Sequence, residues 1–185
     1  MLVEAALVTP IFLVLLLGAI EGGFAFSERL SVANMALVGA RAASGRGNDV
    51  DADYRILQSV GAGRGMIGDS QITSIVVYKA TGAADSVPAA CKAASIAALC
   101  NRYVGADLER DATQFGCVGP PGPTVKIDGS WCPTTRRTAL SGVNGPPDYI
   151  GVYVEATHAG MTGIFGDHLV LRSDTIIRAE PRTLT

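Results

Sequence analysis

The sequence predicts an α+β protein: a long N-terminal apolar helix packed on a small antiparallel-sheet head. Three observations predict it. Residues 2–23 form an almost uncharged apolar run, and a helical repeat carries on beyond it to about residue 43. Two later segments, 148–158 and 168–181, alternate or are rich in β-branched residues, as strands are. Four cysteines all lie after the apolar run. The division follows: residues 1–45 are a long helix, apolar then amphipathic, and 46–185 a disulfide-stapled head.

The apolar run comes first. Ala5 to Ile20 carries no charge, and Thr9 and Pro10 are its only interruptions. About sixteen residues at 1.5 Å each give roughly 24 Å of helix, and with the flanks this approaches the ~20 residues that cross a bilayer. Glu4 and Glu21 sit at its ends, and the first base, Arg29, lies on the far side. A signal peptide or ordinary anchor carries its bases in front. Pro10 removes one backbone hydrogen bond and predicts a bend, which membrane helices tolerate. Gly18 and Gly22 are spaced as GxxxG, which either lets a second helix approach closely or has no special role.

Past Gly23, Phe26, Leu30, Ala33, Leu37 and Ala40 recur at helical spacing, with Ser27, Ser31 and Asn34 on another face. SGRGND ends the helix near Ser44 and Gly45. Asp49, Asp51 and Asp53 alternate as in calcium loops, but Tyr54 stands where such a loop needs glycine, so a polar loop capping the next helix is expected. A short helix over 52–62 should bury Ile56, Leu57 and Val60. Gly63, Gly65 and Gly68 match GxGxxG, but a helix precedes them and a strand follows, the reverse of the nucleotide-binding order.

QITSIVVYKA, residues 71–80, reads as a strand. The Ala-rich stretch from Ala93 to Tyr103 predicts a short helix carrying Cys100. From Gly105 to Pro147 the chain reads as irregular, with VGPPGP and NGPP inside it. Ile150, Val152, Val154 and Ala156 share one face of the next strand, and Tyr149, Tyr153, Glu155 and Thr157 the other. Residues 159–167, AGMTGIFGD, join it to the last strand.

The cysteines are Cys91, Cys100, Cys117 and Cys132. Their even number, with no CxxC pair, points to two disulfides rather than a metal site or free thiols. Three connectivities exist; the local one, Cys91–Cys100 and Cys117–Cys132, brackets two short loops. Disulfides imply an oxidising compartment outside the cytoplasm. Trp131 should pack on the second one.

Composition narrows the function. Charged residues are 17% and the net charge is −2, with no basic stripe, which argues against nucleic acid as a partner. No GxSxG, HExxH or Walker motif is present. His158 and His168 sit at strand ends and read as exposed edge residues. Glu155 and Asp174 form a catalytic dyad only if strand pairing brings them face to face. No enzyme, cofactor or metal is expected.

The opening VEAALVTPIFLVLLLGAIEGGFAF and the close VGARAAS resemble the TadE-like proteins of tight-adherence (type IVc) pilus systems. Val3, Glu4, Ala5, Ala6 and Leu7 take the starting pattern, Pro10 the early proline, Glu21 a recurring acid, and Gly39 to Ala43 the closing motif. DTIIRAEPRT at 174–183, CNRY at 100–103 and WCP at 131–133 resemble the cysteine-containing members from GC-rich actinobacteria. The resemblance implies a pilin subunit. Prepilin peptidase cuts its leader, and the helix leaves the membrane to pack with other copies in a surface filament built by the pilus assembly machinery. The absence of front charges fits a mature chain. In that setting Glu4 either pairs with the α-amino group of a neighbour or sits at the headgroup level, and Glu21 is expected at the interface or exposed. Glu4, Pro10, Gly18 and Gly22 are the expected assembly residues. The alternative is a single-pass, membrane-anchored extracytoplasmic binding or adhesive domain.

Overall fold

A computed structural model describes residues 2–117, 126–138, 146–160 and 168–181, with side chains from residue 6 onward. VGPPGP, the first half of NGPP, most of the 159–167 connection and the last residues of the C-terminal motif lie outside the described residues. So does the side chain of Glu4, although its backbone belongs to the first helix.

Helix α1, Leu2–Arg46, is a single α-helix that continues through Pro10. Its last turns carry the seat on the head. Val32, Met35, Ala36, Gly39, Ala40 and Ala43 follow one another at helical spacing and are buried. This corrects the face read from the sequence. Phe26, Leu30 and Leu37 point outward, and only Ala40 of that series is buried. Close packing decides the difference, because a face of small residues brings the helix backbone nearer its neighbours than a stripe of Phe and Leu does. At Gly39 an added Cβ would lie 2.7 Å from Val60 Cγ2 and 3.1 Å from Val152 Cγ1.

Helix α2, Ala52–Ala62, packs beside α1 and buries Ile56, Leu57 and Val60. The strands are β1 Ile72–Ala80, β2 Cys100–Tyr103, β3 Tyr149–Ala159 and β4 His168–Arg178. They form one antiparallel sheet in the order β2-β1-β3-β4. The short helix α3 covers only Ala89–Ala93. Cys100 therefore stands in a strand, not in the Ala-rich helix expected over 93–103. Four residues are too few to show a period-two pattern, and pairing with β1, where Tyr78 faces Cys100, outweighs alanine's helix propensity. The 105–147 stretch is also less irregular than its Gly-Pro content suggests. Its described residues contain three 3₁₀ turns, at Gly105–Glu109, Ala112–Gln114 and Pro133–Thr135.

The main core lies between α1 and α2 and one sheet face, where Ile75, Val77, Ile150, Val152, Val154 and Ala156 point. The opposite sheet face carries a smaller core of Val76, Tyr78, Val87, Tyr153 and the Cys91–Cys100 pair. Gly151 makes room for it: an added Cβ there would fall 2.1 Å from the Tyr78 ring.

Candidate functional site

The candidate site is α1 itself, because its two halves have opposite surroundings. Every residue from Ala6 to Leu17 is exposed. Leu7, Phe12 and Leu15 expose 68%, 62% and 67% of their surface. A helix that is apolar all round is stable in water only when something covers it. Covering a single Leu or Phe side chain is worth about 1.5–3 kcal/mol, so the exposed run is a strong demand for lipid or for other helices. The helix is long and apolar enough to span a membrane.

The other half is held by specific bonds as well as by packing. Ser44 Oγ donates to the Arg178 carbonyl at 2.8 Å, and the Glu180 N–H donates to the Ser44 carbonyl at 3.1 Å. Asn34 Nδ2 donates to the Gly63 carbonyl at 3.2 Å, tying α1 to the end of α2. His158 Nδ1 lies 2.9 Å from Glu28 Oε2, which ties α1 to β3. His158 is thus buried, not an exposed edge residue, while His168 is exposed.

Glu21 also departs from expectation. It is 1% exposed, folded into the protein rather than left at an interface. Gly18 and Gly22, on the same side of α1, are half-buried, whereas Gly23 faces open space. Pro10 lies in the exposed half, apart from these three.

The head is locked by a buried polar cluster that sequence reasoning missed. Asp53, read as part of a polar cap, turns inward. Its carboxylate meets Arg136 Nη2 at 2.6 Å and accepts from Tyr103 Oη at 2.6 Å and Asn101 Nδ2 at 2.7 Å. Arg136 Cζ lies 4.2 Å from the Trp131 ring centroid, so a cation–π contact faces the charge. Asn101 Oδ1 accepts the Trp131 N–H at 2.7 Å. Burial, then the Asp53 charge, pushes the Tyr103 hydroxyl well above its ordinary value, so it stays a donor. The only sequence signal was the third Asp of NDVDAD at the start of a helix; its partner is far along the chain.

Cys117–Cys132 and Cys91–Cys100 are at bonding distance, with S–S separations of 2.06 and 1.97 Å. The Asp128 carboxylate accepts the N–H groups of Gly116 and Cys117 at 2.8 and 2.9 Å, fixing the turn in which Cys117 adopts a φ of 61°. Trp131 is buried beside Cys132 and packs on Arg136.

Glu155 faces Arg172 across the strands, and Asp174 faces Tyr153, so the two carboxylates are not a facing pair. Burial pushes Glu155 up, but bonds from Tyr153, Arg172 and Thr73 outweigh it and hold the carboxyl below its ordinary value. Asp174 is pushed up by burial, against the Val87 N–H and Tyr78 hydroxyl that it accepts.

No curated protein and no solved structure matches the chain. Residues 1–41 match the family model of the TadE-like proteins, which covers the exposed apolar half of α1 and most of its seat. Over those residues the long helix on which the head is mounted is similar to that of the TadE-like proteins.

Proposed function

We propose that this chain is a structural subunit of a type IV-like Tad pilus, assembled through α1 into a surface filament for adhesion. The observation that carries the reading is the division of α1. One half is exposed and apolar on every side, and the other is bonded rigidly to a folded head. That division suits a subunit held first by a membrane and then by the helices of other copies. The TadE-like match over residues 1–41 supports it, since that family is one of pilus-associated structural proteins, not enzymes.

In this reading the partners are other copies of the chain, the membrane before assembly, prepilin peptidase and the pilus assembly machinery. The head, with its two disulfides, stands outside the cell. Glu4 sets axial register by pairing with the α-amino group of a neighbour, because a shifted neighbour would leave both charges unpaired. Pro10 and the Gly18–Gly22 side of the helix shape its contacts. By motif the chain resembles the cysteine-containing members from actinobacteria.

Shearing separates this reading from a single-pass anchor. Surface material sheared from cells and studied by electron microscopy and mass spectrometry should contain this chain as fibres. Recovery only in the membrane fraction, with no fibres, would favour the anchored domain.

A further inference from the structure

Beyond α1, few large apolar side chains of the described residues are exposed. They are Val50, Met66, Leu169 and Val170. Two of these, Leu169 and Val170, line one groove of about 440 Å³ between α1 and the start of β4, together with Ala25, Phe26, Arg29 and Arg172. An apolar floor under two guanidinium groups has the chemistry of an amphipathic, anionic ligand.

The depth of the groove says which one. Glu21 is buried in the protein, so it does not interrupt the surface that α1 shows to lipid. Discounting it, the uncharged outer face runs from Ala6 to Phe26. That is about 32 Å of helix at 1.5 Å per residue, against a hydrocarbon core of about 30 Å. Arg29 then stands about 4.5 Å beyond the core, inside a headgroup layer roughly 5–7 Å deep. Among the described residues the acids nearby are engaged: Glu28 with His158, and Glu155 with Arg172. Arg172 remains 60% exposed, and Arg29 has no ion-pair partner among the described residues.

We infer that this groove binds an anionic phospholipid of the outer leaflet while α1 spans the membrane, its phosphate between Arg29 and Arg172 and its upper chain on Phe26, Leu169 and Val170. The inference rests on the membrane stage of the proposed function. Its role there is to hold the head against the bilayer at a fixed depth before the helix is withdrawn.

The test uses the full chain in nanodiscs of equal phosphatidylglycerol and phosphatidylcholine, with retained lipids counted by native mass spectrometry. The wild type should retain phosphatidylglycerol preferentially. Near a charged surface one basic residue contributes about 1 kcal/mol, so Arg29→Gln should lower the preference about fivefold. Arg41→Gln, an exposed arginine higher on the same helix, should leave it unchanged. Equal retention of both lipids by the wild type, or an undiminished preference in Arg29→Gln, would overturn the inference while leaving the membrane reading intact. A lipid-free dimer that Arg29→Gln abolishes would place a second copy in the groove and also overturn it. Failure of the wild type to insert at all would overturn the membrane reading and the inference together.

Discussion

Asp53 and Arg136 meet at 2.6 Å, and neither side chain has any exposed surface. The pair joins the first residues of α2 to the turn after Cys132, and so ties the stapled loop to the helical layer. Removing one partner strands the other charge in a dry interior, which typically costs about 3–5 kcal/mol. Asp53→Asn should therefore lower the denaturant midpoint of the head by that equivalent. Trp131 fluorescence reports it directly, since the ring lies against Arg136. An unchanged midpoint would mean that the cluster is not the lock described here.

The seat of α1 on the head depends on Gly39. A Leu side chain there would collide with Val60 and Val152, already within 2.7 and 3.1 Å of a bare Cβ. Overpacking of this kind typically costs 1–3 kcal/mol, so Gly39→Leu should lower the thermal midpoint of unfolding by roughly the same equivalent. Gly23→Ala is the contrasting change. Nothing lies within 4 Å of its Cβ, and the helix should gain about 0.4–1 kcal/mol. Circular dichroism melts of the two variants should move in opposite directions.

Acid should weaken the head through Glu155. Its folded pKa lies below the ordinary 4.5, so its contribution is fully present above that value and is lost as pH falls through the lower, folded one. In Glu155→Gln this part of the acid limb should disappear, leaving a flatter stability curve below pH 4.5 than in the wild type. Arg172 is largely exposed, so the effect should be modest and should shrink with added salt. Parallel acid limbs for the two proteins would contradict the assignment.

Much of this architecture was legible in the sequence because it is written in local periodicity. The apolar run, α2, and strands β1, β3 and β4 each carry their pattern of apolar or β-branched residues over nine or more residues. The elements that escaped are those set by distant partners. Cys100–Tyr103 is a strand because β1 lies beside it, not because of its own four residues. His158, Glu21 and Asp53 are polar residues expected at a surface or interface from their place at the ends of elements or in a loop. Their burial follows from partners or packing that no local window contains, as Glu28 does for His158 and Arg136 for Asp53. The α1 seat was misread for a related reason. Phe26, Leu30 and Leu37 carry more hydrophobicity than Ala36, Gly39 and Ala43, yet closeness of approach chose the small residues.

Glu4→Gln is nearly isosteric and should leave insertion and folding of the head intact, while sharply lowering filament assembly. A carboxylate in hydrocarbon is costly unless protonated or paired, so its removal should not harm the membrane stage. Fibre yield in a strain with no other copy of the chain is the readout. Wild-type yield from the variant would make Glu4 an interfacial residue with no part in register.

The central claim is that other copies of α1 cover the exposed apolar half after the membrane stage. A photo-crosslinking amino acid in place of Phe12, which is 62% exposed, tests it most directly. Irradiated surface material should give a ladder of covalent multimers, with the linked peptides mapping to α1 of both copies. Monomers carrying only lipid adducts, with no helix-to-helix links in any fraction, would contradict it.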